Sequence, residues 1–149
     1  MPTYLHLSRI FKAQGNIEEA KNFLNQALSI KRDYAPAANN LAYIMAEIGS
    51  SLYEALRLSK VASDKDPNNS EYLDTLGWIY YLQGNNDLAI VTIEESVKLN
   101  PKSAIGQYHL GWACYESKQY EKARTHMETA LELDPNFKGA DKARNILGR

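Results

Sequence analysis

Histidines, thiols and paired carboxylates are the side chains that most readily hold a metal or move a proton, and this chain of 149 residues carries few of them in useful arrangements. Its histidines are His6, His109 and His126. A zinc site draws its ligands from a shared face, commonly two of them three or four residues apart on one helix. None of the three histidines has a second ligand at that spacing, so they are predicted to be separate side chains, exposed or half-buried. Cys114 is the single cysteine. That excludes an intramolecular disulfide framework and a cysteine-rich zinc site, while its place at an inward position of its segment predicts a buried, inert thiol. The adjacent acids Glu18-Glu19 and Glu94-Glu95 begin or flank predicted helices, where the helix dipole and solvent account for them. No phosphate-cradling glycine loop, nucleophile elbow or zinc-protease pattern is present. The expectation is therefore a chain without catalysis, cofactor or metal.

The elements that position these side chains follow from a repeat. Leu76-Gly77-Trp78 recurs 34 residues later as Leu110-Gly111-Trp112, and Pro67, Pro101 and Pro135 keep the same spacing. Ala20, Ala55, Ala89 and Ala123 fall in the same frame, with one extra residue absorbed between Gly49 and Ala55. The repeats run about 1–34, 35–69, 70–103 and 104–137, and a closing helix covers 138–149. Within each repeat, apolar residues recur at helical spacing in two stretches, for example Leu73, Leu76 and Tyr80, then Leu88, Ala89, Ile93 and Val97. Gly15, Gly49 and Gly84 suit a first helix closed in the left-handed conformation. Asp66-Pro67, Asn100-Pro101 and Asp134-Pro135 end the second helices, because proline cannot continue a hydrogen-bonded turn. Gly77 and Gly111 cost helix stability, about 1 kcal/mol each relative to alanine, and the expected return is close approach of two antiparallel helices around Leu7, Leu41, Leu76 and Leu110. The chain is long enough, and at 44% hydrophobic residues apolar enough, for one continuous core.

This pattern of a large residue, Leu-Gly, an aromatic, then alanine, a large residue, alanine and proline resembles the tetratricopeptide repeat family over nearly the whole chain. The third repeat supplies Leu76-Gly77, Tyr80, Gly84, Ala89, Ile93 and Pro101; the fourth supplies Leu110-Gly111, Ala123, Met127, Ala130 and Pro135, with Cys114 in the aromatic's place. The first repeat departs most, having Ser8 for the glycine and Arg32 for the proline. The resemblance implies an all-α fold, a right-handed superhelical solenoid of four helix-turn-helix repeats and a capping helix, and the 149 residues are expected to form a single domain. It further implies that the first helix of each repeat lines a concave groove. The residues this places there are Arg9, Lys12, Asn39, Asn40, Tyr43, Asp74, Trp78, Tyr81, Tyr108, Trp112 and Tyr115.

Aromatic side chains combine large apolar area with a polar edge at small rotamer-entropy cost, so such a groove suits a peptide or protein segment with apolar anchors. The competing reading has Trp78 and Trp112 simply packed between neighbouring first helices. The two-carboxylate clamp used by chaperone-binding relatives is not reproduced: its positions hold Leu5, Arg9, Asn40, Glu71 and Thr75, and Glu71 would repel a carboxylate. Lysine plus arginine number 17 against 18 acidic residues, and Glu47, Asp74 and Glu116 flank the aromatic positions, which argues against nucleic acid as partner. Membrane insertion is not expected, since no run of 18 apolar residues occurs. A second functional class is self-assembly, the first repeat having no polar cap ahead of it and meeting another copy. The compartment stays open. The stretch Leu73 to Tyr81 and the Gly139-Ala140-Asp141 ending look like tetratricopeptide proteins of bacterial envelope and polysaccharide-export systems, so that beside the favoured cytoplasm the bacterial periplasm stays open should the chain be part of a longer protein. The sequon Asn68-Asn69-Ser70 is a three-residue pattern and carries little weight.

Overall fold

The computed structural model describes residues 2–149 and is all-α: nine helices and no strand among the described residues. They fall into two compact units, divided between Pro67 and Asn68.

The first unit holds α1 (Pro2–Ala13), α2 (Ile17–Ile30), α3 (Ala35–Ile48) and α4 (Leu52–Lys65). Consecutive helices pack on each other, pairing as two hairpins. Ala20, Leu24, Ala27, Leu41, Ala42, Ile44, Ala55, Leu58 and Ala62 are buried, at the three-to-four-residue spacing of helix faces turned inward. The extra residue between Gly49 and Ala55 lies in the turn ahead of α4, where Ser51 caps the helix by accepting a hydrogen bond from the Glu54 amide at 3.2 Å. Lys65 reaches Asp33 at 2.8 Å and so ties the end of α4 to the turn between α2 and α3.

The second unit holds α5 (Ser70–Leu82), α6 (Asn86–Leu99), α7 (Ala104–Glu116), α8 (Tyr120–Leu133) and α9 (Ala140–Ile146). Here too each helix packs on the next, and α5 also meets α7. Asn69, Asn85 and Ser103 cap α5, α6 and α7 with side-chain oxygens, satisfying amides that a helix start leaves without partners. Two apolar clusters fill the unit. One joins Ala89, Ile93, Leu110, Ala113, Cys114 and Ala123; the other joins Tyr108, Met127, Ala130, Leu131 and Phe137 to Ala140 and Ala143 of α9.

The helix glycines are explained by contact. A methyl group on Gly77 would overlap Ile93 Cγ1, and one on Gly111 would stand 3.1 Å from Met127 Cγ and Cε, so at both positions the partner helix's side chain packs against the bare backbone. The turn expectation holds for Gly15, Gly49 and Gly84, all left-handed, and the fourth hairpin reaches the same conformation at Lys118, φ 63°. The closing helix is shorter than expected, seven residues within 138–149. It starts after Gly139 and buries Ala140 and Ala143, in line with its apolar pattern.

Candidate functional site

Each first helix presents residues three and four apart on one side, and in the second unit this brings the aromatic positions of α5 and α7 together. Trp78, Tyr81, Leu82, Tyr108, Trp112 and Tyr115 line an open groove of about 730 Å³, whose remaining wall is Lys142, Asn145 and Ile146 of α9. That volume lies in the range of pockets that hold a small molecule or a few side chains. Trp78 and Tyr81 stack with ring centroids 4.5 Å apart and planes 14° from parallel. Trp112 meets Tyr108 and Tyr115 edge to face. These are the geometries that ring quadrupoles favour, so the walls are held in place without a ligand.

Both tryptophans are half-buried. Each has one side packed on the unit and the other lining the groove. Tyr108 is buried and forms the floor against Phe137, while Tyr115 is exposed at the rim. Burial pushes the Tyr81 phenol up to about 12, with Glu116 and Tyr108 adding to the effect. Burial also raises Tyr108, a hydrogen bond with Trp112 partly opposing. At neutral pH both are neutral phenols able to donate a hydrogen bond.

Beneath Trp78 lies a polar pair that the sequence reading placed differently. Asp74, expected in the groove, is buried and does not line it; both its carboxylate oxygens face His109 Nδ1 at 2.9 Å. His109, expected to be exposed or half-buried, is 2% exposed and stacks under Trp78 at 4.0 Å. A carboxylate at this depth requires a donor, and a histidine one repeat later on α7 is the group that reaches it. The two positions are 35 residues apart, which no local pattern connects. The pair seats the Trp78 ring from below.

The other histidine of the unit is also structural. Gln107 donates its amide to the Pro101 carbonyl at 3.1 Å, so its oxygen faces His126, whose Nδ1–H donates to it at 2.8 Å. Burial, with Glu94 opposing and Lys122 assisting, lowers the His126 pKa. Cys114 is buried, and burial raises its thiol pKa, so the thiolate that would act as nucleophile is disfavoured. Among the described residues no group of three metal-ligating side chains converges and no helix is long and apolar enough to cross a membrane.

The first-unit candidates make their own contacts. Lys12 pairs with Glu47 at 3.2 Å and lies 4.9 Å from the centre of the Tyr43 ring. Arg9 is exposed, Asn40 half-buried and Asn39 buried. Sequence reasoning missed Leu82, Lys142, Asn145 and Ile146. Ile146, an apolar residue in a short helix otherwise read as charged on its outer side, was the available signal; the role of Lys142 had none.

The tetratricopeptide repeat family pattern matches residues 2–34, 70–103 and 104–137. Curated relatives include human tetratricopeptide repeat protein 6, 23% identical over 124 residues, covering 83% of this chain and 24% of that protein. The bovine BBSome complex member BBS4 is likewise 23% identical, over 128 residues, covering 86% of this chain and 25% of that protein. The chain thus spans about a quarter of the length of the curated relatives it matches. Among solved structures, the thermophilic tetratricopeptide repeat protein TTC0263 of Thermus thermophilus superposes with a TM-score of 0.85 at 18% identity, covering 99% of this chain and 83% of its own. MamA of Desulfovibrio magneticus superposes with a TM-score of 0.74 at 17% identity, covering 89% and 74%. At these identities the structures speak for the fold.

Proposed function

Given that the chain belongs to the tetratricopeptide repeat family, a fold of protein-interaction scaffolds, we propose that it is a non-catalytic scaffold that binds a polypeptide segment in the aromatic groove of α5, α7 and α9. The observation that carries this reading is the pairing of Trp78–Tyr81 with Trp112–Tyr115 across an open groove. Preset aromatic walls lower the ordering cost of binding, and aromatic residues in partly desolvated pockets supply much of the energy at interfaces. The partner's anchor is apolar, because Leu82 and Ile146 extend the aromatic surface. Arg9, Lys12, Asn39, Asn40 and Tyr43 form no part of this groove in the proposed reading. The alternative, self-assembly through the first repeat, has no comparable feature in its favour among the described residues.

The chain's only two tryptophans both line the groove, so its intrinsic fluorescence reports occupancy. A ligand selected on the wild-type chain is expected to shift that emission, and Trp112→Ala is expected to weaken binding by about tenfold or more, at a hot-spot cost of about 1.4 kcal/mol or above. Melting temperature and far-UV circular dichroism are measured on the same variants, including Trp78→Ala and the double variant. Binding retained by a folded double variant would refute the groove; loss of binding only alongside unfolding would return the tryptophans to a packing role.

A further inference from the structure

The lining of the groove is one-sided in charge. Its lining residues with polar groups are Lys142, Asn145, Tyr81, Tyr108, Tyr115, Trp78 and Trp112, the Trp112 indole N–H being engaged by the Tyr108 phenol, and among the described residues no aspartate or glutamate lines it. Carboxylates are near, but each is otherwise engaged or set apart. Asp74 lies below the surface, bonded to His109. Asp141, adjacent to Lys142, pairs with Arg144 at 3.0 Å. Glu128 lies within reach of Arg124 and Arg149. Glu116 helps keep Tyr81 protonated yet does not line the groove. Lys142 is exposed and, among the described residues, makes no ion pair.

We propose that this groove selects an internal chain segment in which an apolar anchor is flanked by acidic side chains, with Lys142 as the residue that reads the acid. The inference rests on the groove being the binding face. Apolar contact with the rings and with Leu82 and Ile146 supplies affinity. Lys142 on the α9 wall, together with the neutral phenols and the Trp78 indole, supplies discrimination, because a carboxylate finds donors there and a basic segment meets a like charge. Aromatic faces by themselves would attract a cation, and Lys142 is the feature that turns the preference around.

The test is selection of random segments displayed as internal inserts between fixed uncharged flanks, carried out on the full chain, on Lys142→Gln, on Lys142→Glu and on Trp112→Ala. The wild type is expected to enrich aspartate or glutamate beside leucine, isoleucine, methionine or an aromatic. Lys142→Gln should lose the acidic preference while keeping the apolar anchor, and Lys142→Glu should turn it toward lysine and arginine. A chosen acidic segment should bind Lys142→Gln roughly three- to fivefold more weakly, the size of a partly solvated ion pair, and the difference should shrink as salt is raised. Apolar anchors without acidic flanks, or an acidic preference unchanged in Lys142→Glu, would overturn the role of Lys142 and leave the groove standing. Basic segments on the wild type would overturn it in favour of cation recognition by the rings. Enrichment that is equal on Trp112→Ala, or absent on every chain, would overturn the groove itself.

Discussion

Trp78 sits on His109 and beside Tyr81, and His109 in turn is held by Asp74; helical spacing puts Asp74, Trp78 and Tyr81 on one side of α5, but it does not bring His109 of α7 to them. The phenol of Tyr81 gives this cluster a signature. Unfolded tyrosine ionises near 10.0, whereas Tyr81 in the folded chain holds its proton to about 12. Its contribution to stability is complete below the unfolded value and is lost as pH rises from there through the folded one. Absorbance titration of tyrosinate is expected to show a late phenol that Tyr81→Phe removes. His126 acts at the other end of the scale. Burial lowers its pKa from the ordinary 6.5, so the unfolded chain takes up that proton first. Stability is full above that value and falls as pH drops through it toward the folded value. Urea midpoints compared at about pH 7.5 and about pH 5.5 should fall less in His126→Gln than in the wild type.

Among the elements, α9 changes most in meaning. Its sequence reads as a cap that covers the last apolar face, and it does bury Ala140 and Ala143. It also forms a wall of the groove and carries the groove's one lysine. Gly139 makes that placement possible. Its φ of 112° is one that side-chain-bearing residues avoid, and an added Cβ would come within 2.8 Å of the Tyr108 ring. Gly139→Ala is therefore expected to destabilise the chain by roughly 2 kcal/mol through backbone strain and overpacking. The loss should be seen as a lower melting temperature together with a changed tryptophan emission, since Tyr108 contacts Trp112. An unchanged emission would separate α9 from the groove. Lys118 marks the converse case: it occupies the left-handed position that glycine fills in the other three hairpins, and the turn still closes.

At the scale of the whole chain, the division at residue 67 bears on cooperativity. We propose that the 149 residues nonetheless unfold as one thermodynamic domain, since neighbouring repeats are the usual source of stability in such arrays. Both tryptophans lie in residues 68–149, while far-UV circular dichroism reports helices of both units, so the two signals are expected to share one urea midpoint. A fluorescence midpoint displaced from the dichroism midpoint would show two domains. The amino-acid sequence by itself determines the periodic features of this protein: the helix pairs, the turns at Gly49 and Gly84, the proline stops, and the small residues at Gly77 and Gly111 all follow from rules of local spacing and size. Trp78, Tyr81, Tyr108, Trp112 and Tyr115 stand there too as groove candidates, because the repeat fixes their register and the family resemblance implies that first-helix positions of that register line a concave face. What only the tertiary structure decided is which polar groups meet. Asp74 and His109 come from different repeats and bury each other, and Lys142 joins the aromatic wall because α9 folds back over Tyr108. Periodicity fixes which side of a helix faces inward, but the partner of a buried charge depends on the distance between helices that the sequence keeps far apart.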